Sequence, residues 1–96
     1  MTEHGKVIFV SQVREGVSKT TGEVWQSQDF VIEVDGRYVR KVKLNLYGAE
    51  KIAKAMLAVG MIVDVEFEIE AHEYNGNWYN ELRVWNVSIG GKSLIR

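Results

Sequence analysis

The side chains able to do chemistry in this chain are aromatic and basic rather than nucleophilic. Lys41, Lys43 and Tyr47 fall at even spacings, two and four residues apart, so on an extended strand they share one face. Trp25 falls on the matching face of the preceding strand if the two pair as a hairpin. Base–aromatic stacking is worth on the order of 1–3 kcal/mol per base, and lysines follow phosphates. An aromatic pair beside two lysines on one sheet surface is therefore a candidate for holding single-stranded nucleic acid. The bland alternatives are a cross-strand aromatic pair that only stabilises the sheet, or a contact between subunits.

Two loops and one further strand add candidates. Lys19 sits in the polar loop Ser18-Lys19-Thr20-Thr21-Gly22, and Tyr74 and Trp78 flank the turn Asn75-Gly76. Trp78 reads more readily as a cap over one end of the fold than as a contact. Arg83 and Trp85 alternate outward on the last long strand and could extend the binding strip, with Arg83 also placed to pair with Glu68. Glu66, Glu68 and Glu70 form an acidic row that reads as a solvated face repelling phosphate. Strand spacing spreads these carboxylates by about 7 Å, which makes a poor metal site.

The catalytic inventory is thin. There are two histidines, His4 and His72, and no cysteine. His72 and Glu73 are neighbours on a strand and point to opposite faces. No phosphate-binding glycine loop or nucleophile elbow is present. Gly90-Gly91-Lys92-Ser93 lacks the upstream glycine of a Walker motif. The expectation is a non-enzyme with no catalytic residues, no metal and no cofactor.

The elements that must position these groups are mostly strands. Met61, Val63, Val65, Phe67, Ile69 and Ala71 alternate with Asp64, Glu66, Glu68, Glu70 and His72, which predicts a strand with one buried and one wet face. Asn75-Gly76 is a type I′ hairpin signal. It pairs Ala71 with Asn80, Ile69 with Leu82 and Phe67 with Val84, and sets Glu70 against Glu81. Three strands are expected before it, at Lys6–Val13, Val24–Val34 and Tyr38–Tyr47. A three-residue loop, Asp35-Gly36-Arg37, would pair Phe30 with Val42, Val34 with Tyr38 and Trp25 with Tyr47, and set Asp29 opposite Lys43. Ala49–Leu57 reads as a short helix whose Ile52, Ala53, Met56 and Leu57 plug the fold, with Gly60 marking the turn out of it. Residues 90–96 read as a patternless tail.

Three strands, one helix and two strands is the layout of an OB-fold. The predicted fold is all-β with one short helix: a five-stranded Greek-key barrel with the helix between the third and fourth strands. The 96 residues suit one domain, with its core at about 6–89. Apolar residues at 46% and charged residues at 26% are ordinary for a globular protein. No apolar run approaches the roughly 18 residues of a membrane helix. The N-terminal residues carry no signal-peptide pattern, so a cytoplasmic protein that does not engage membranes is expected. The net charge of −1 means that any nucleic-acid site must come from local charge segregation.

The chain also resembles a family of small one-domain bacterial proteins of unknown function, whose fold is similar to single-stranded-DNA-binding OB proteins. The resemblance rests on Trp25 with Gln28, Phe30, Val31 and Glu33, then Gly36, Tyr38, Lys41-Val42 and Gly60. It continues through Val63-x-Val65-x-Phe67-x-Ile69-Glu70, Glu73-Tyr74-Asn75-Gly76-x-Trp78-Tyr79 and Leu82-Arg83-x-Trp85, spanning about residues 6–88. It implies the OB-fold and leaves the function open. Two functions follow as expectations. The first is a non-catalytic module binding single-stranded nucleic acid, DNA foremost, through Trp25, Lys41, Lys43 and Tyr47, with Lys19, Arg83, Tyr74 and Trp85 as further contacts. The second is a protein-interaction or assembly module using the same aromatic surface, including self-association as a homo-oligomer.

Overall fold

Valine, isoleucine, leucine and phenylalanine at every second position give the long strands one face for a core. In the computed structural model, which describes residues 1–95, that face is where the core forms. The strands are β1 (Thr2–Val10), β2 (Arg14–Val17), β3 (Val24–Val34), β4 (Arg40–Tyr47), β5 (Ile62–Tyr74), β6 (Asn77–Ile89) and β7 (Lys92–Ser93). One helix, α1 (Ala49–Ala55), lies between β4 and β5. Phe30, Ile32, Leu46, Val7, Val63, Val65 and Val87 are wholly buried in one cluster. No helix among the described residues is long and apolar enough to cross a membrane.

The strand arrangement is OB-fold-like. β1 pairs antiparallel with β5 through Thr2–Lys6 and with β3 through Lys6–Val10. It changes partner near Gly5, where an added Cβ would lie 2.5 Å from the Glu33 carbonyl oxygen. Only glycine lets the two backbones approach this closely. β3 pairs antiparallel with β4, and β5 with β6. β4 and β6 meet in parallel over two residue pairs, Asn45 with Arg83 and Leu46 with Val84.

From Tyr74 back to Phe67 the β5–β6 register is the one the turn predicts, and a bulge shifts it by one residue between Phe67 and Glu66. Ala71 faces Asn80, Ile69 faces Leu82 and Phe67 faces Val84. Asn75 and Gly76 take φ of 50° and 80°, as a type I′ turn requires. The burial pattern differs from expectation beyond Phe67. Ile69 is 49% exposed and Ala71 is exposed too, because this half of the hairpin projects past the core as an arm. Trp78 is 69% exposed on that arm, so it does not cap the fold.

The β3–β4 register is two residues away from the predicted one. Phe30 faces Leu44, Ile32 faces Val42 and Val34 faces Arg40, with residues 35–39 forming the connection. A shift of two keeps every side chain on its face, so the wet surface is as expected but its neighbours change. Asp29 now faces Asn45 rather than Lys43.

Three segments carry more order or a different packing than the sequence suggests. Residues read as a loop contain β2, paired with β3 from Arg14–Ser27 to Val17–Val24. The C-terminal segment is pinned to β6: the Ser93 hydroxyl donates to Asn86 Oδ1 at 2.6 Å, and Ile95 is buried against the core. Asn86 in turn donates to Glu66 at 3.0 Å, so Glu66 is more than a solvated charge. The helix ends early, with Met56 in the left-handed region at φ 45°. It buries Ile52 and Ala55 and leaves Ala53 and Met56 exposed. Lys54 bonds Glu50 at 2.9 Å, and that hydrogen bond holds the exposed Glu50 carboxyl below its ordinary range.

Candidate functional site

The outward faces of β3, β4 and β6, bordered by β2, form a continuous open groove. One part, about 560 Å³, is lined by Arg14, Trp25, Ser27, Asn45, Tyr47, Glu81 and Arg83. The adjoining part, about 650 Å³, is lined by Arg14, Asp29, Lys41, Lys43, Asn45, His72, Tyr79 and Glu81 among others. Arg14, Asn45 and Glu81 belong to both and mark where they join.

Trp25 and Tyr47 define the aromatic end. Their ring centroids are 6.5 Å apart and their planes lie within 21° of each other. They are diagonal partners, because Tyr47 is directly opposite Ser27. Such diagonal positions remain within reach of aromatic side chains. Gly16 of β2 is directly opposite Trp25. The indole lies over this glycine so closely that a Cβ there would be 2.5 Å from Cζ2 and 2.7 Å from Cε2.

The floor between the aromatic end and the lysines is polar and fully bonded on one side. Asn45 Nδ2 donates to Ser27 Oγ at 2.7 Å and to Asp29 Oδ1 at 3.0 Å. Arg14 Nη2 donates to Asp29 Oδ2 at 2.9 Å. The Asp29 backbone N–H donates to Ser11 Oγ at 2.9 Å, which anchors the main chain that carries the carboxylate. Because these groups are held before any ligand arrives, ordering them on binding costs little.

Arg83 forms the β6 wall. Its ion pairs run to Glu70 and Glu81, each at 3.6 Å, rather than to Glu68, which is its opposite number in register. His72 sits 3.1 Å from Glu81, so the facing pair Glu70 and Glu81 is bridged by Arg83 and His72. All four side chains are substantially exposed, and such pairs contribute only about 0–1 kcal/mol each.

Of the residues singled out from sequence, Trp25, Tyr47, Lys41, Lys43 and Arg83 line the groove. Lys19 lies outside it, on an exposed turn closed by Gly22 N–H to the Ser18 carbonyl at 2.9 Å. Tyr74, 68% exposed near the arm's tip, and Trp85, 42% exposed on β6, line neither part. Sequence reasoning missed Arg14, Ser27, Asn45, Tyr79 and Glu81. Serine, asparagine and glutamate at alternate strand positions look like ordinary solvated residues. Only the observed β3–β4 register and the parallel β4–β6 contact bring them together. Among the described residues, no group of three or more histidine, cysteine, aspartate or glutamate side chains is arranged to hold a metal.

The chain belongs to the family described as "Domain of unknown function (DUF3127)", which matches residues 3–88. No curated protein matches it by sequence. Among solved structures it is similar to the mitochondrial single-stranded DNA binding protein Rim1 of S. cerevisiae. The TM-score is 0.69 at 14% identity, over 96% of this chain and 95% of that one. At that identity the likeness concerns the fold.

Proposed function

We propose that this member of the DUF3127 family is a non-catalytic module that binds single-stranded nucleic acid, DNA foremost, along the groove of β3, β4 and β6 with little sequence preference. The observation that carries this reading is the layout of the groove. A stacked Trp25–Tyr47 pair stands at one end and Lys41 and Lys43 stand farther along. Four basic side chains there, Arg14, Lys41, Lys43 and Arg83, outnumber the two carboxylates of Asp29 and Glu81, on a chain of net charge −1. This is the local charge segregation that a phosphate backbone needs. Stacking accepts any base, which accounts for the low preference. The fold it shares with Rim1, itself named as a single-stranded DNA binding protein, supports the reading.

In this proposal the chain acts as one domain. The pairings β1–β5, β5–β6, β6–β4, β4–β3 and β3–β1 are taken as a closed Greek-key barrel. Lys19, Tyr74 and Trp85 serve as outlying contacts for a longer strand.

A second reading, a protein-interaction or self-assembly module using the same aromatic surface through Trp25, Tyr47 and Trp85, is favoured by the exposure of Tyr47 and Trp85. The two readings part on salt. A titration of intrinsic tryptophan fluorescence with a deoxythymidine oligomer, at low and then high salt, tests them. Quenching that weakens steeply with salt and is lost in Trp25→Ala supports nucleic acid. Absence of quenching at low salt refutes it in favour of the interaction module.

A further inference from the structure

Asn45 sits at the junction of the two parts of the groove, and its carboxamide orientation is dictated by its neighbours. An ionised carboxylate only accepts hydrogen bonds. Asp29, ion-paired with Arg14 at 2.9 Å, must therefore face the Asn45 amino group and not its carbonyl. That amino group also bonds Ser27 Oγ, so both of its donors are spent inside the protein. The remaining atom, Oδ1, takes no bond from the described residues. Asn45 is only 9% exposed, yet no buried polar side-chain atom among the described residues lacks a partner. Oδ1 must then reach solvent, and the solvent it borders is the groove. The floor thus presents a fixed acceptor, with a carboxylate beside it, between the aromatic pair and the lysines.

We infer that Asn45 Oδ1 is a base-reading acceptor that favours bases carrying an exocyclic amino group (cytosine, adenine and guanine) over thymine or uracil, which carry none. This rests on the nucleic-acid reading above and modulates its low sequence preference. The chemistry is one of matching poles. Cytosine N4 and adenine N6 project amino hydrogens from the base edge. Thymine carries its one ring N–H between two carbonyl oxygens. Bringing that N–H to Oδ1 drives a carbonyl toward the Asp29 carboxylate. Turning the amide over to offer its amino group would set the Asn45 carbonyl against the same carboxylate. The Arg14–Asp29–Asn45 chain therefore excludes the alternative donor arrangement.

The test compares two oligomers of equal length, deoxycytidine and deoxythymidine, at pH 7.5 and one fixed salt. Both are pyrimidines, so ring size and stacking are nearly matched. One net hydrogen bond corresponds to roughly three- to tenfold in affinity, and that is the expected advantage of the cytosine oligomer. The ratio of the two affinities should fall to about one in Asn45→Ala. It should also fall in Asp29→Asn, a milder change that leaves Asn45 in place but frees its amide to turn. Circular dichroism checks that each variant is folded. Equal affinities in the unaltered protein, with salt-sensitive binding intact, overturn the inference and leave the proposed function standing. A cytosine advantage that survives both substitutions also overturns it. Failure to bind either oligomer overturns the proposed function itself.

Discussion

Substituting Gly16 by alanine should move Trp25 without unfolding the protein. The added Cβ would lie 2.5 Å from indole Cζ2, 2.7 Å from Cε2 and 3.0 Å from Nε1. Comfortable carbon–carbon separation is about 3.5 Å or more, so the ring must retreat by roughly 1 Å. Trp25 is only half-buried, so it has room to do so. Gly16 does not have a positive φ, so alanine fits its backbone. The gain from a less flexible unfolded chain, about 0.4–1 kcal/mol, then roughly offsets the lost contact. The melting temperature should stay within about 5 °C of its starting value. The aromatic site should not stay the same. A displaced indole no longer lies 6.5 Å from the Tyr47 ring in near-parallel planes. Near-UV circular dichroism should change, and affinity for a deoxythymidine oligomer should fall by about fivefold, a fraction of one base stack. An unchanged near-UV spectrum with unchanged affinity would refute the placement of Trp25 over Gly16. A large loss of stability would show that the ring cannot yield.

Other perturbations probe the remaining parts of the structure. Lys41→Gln and Lys43→Gln should each flatten the dependence of log affinity on log salt by about 0.7, measured by fluorescence titration at several ionic strengths. Ile95→Ala should destabilise the fold by about 2 kcal/mol in urea denaturation, the low end of the range for a buried isoleucine; no effect would mean that the segment after β6 does not pack on the core. Met56→Gly should raise stability by about 0.5–1 kcal/mol, because an exposed methionine at φ 45° carries a left-handed penalty that glycine lacks.

What could be read from sequence divides along physical lines. The β5–β6 register was legible because a tight Asn75-Gly76 turn and strict alternation agree, and a one-residue slip would invert every side chain. The β3–β4 register was not. Pairing Phe30 with Val42 or with Leu44 sets apolar against apolar either way, and residues 35–39 do not impose a turn. Because the two choices differ by two residues, Trp25, Lys41, Lys43 and Tyr47 were still placed on the correct face. The fixed acceptor at Asn45 was invisible, since it depends on that register, on Arg14 in a strand masked by its glycine, and on a parallel contact with β6. The helix was placed correctly and its buried face in part: Ile52 is in the core and Leu57 packs against it, whereas Ala53 and Met56 are exposed and Ala55 is buried instead. The helix ends at Met56, which turns that side chain out to solvent. The arm was misjudged because alternation reports a two-faced strand and cannot say whether anything lies over the apolar face.

The most direct measurement of the central claim is a map of backbone amide shifts by two-dimensional NMR as a short deoxythymidine oligomer is added at low salt. Binding along the groove predicts shifts concentrated at Arg14, Trp25, Ser27, Lys43, Asn45, Tyr47 and Arg83, with β1 and the outer end of the arm unmoved. Shifts confined to the arm, or no shifts at all, would contradict it.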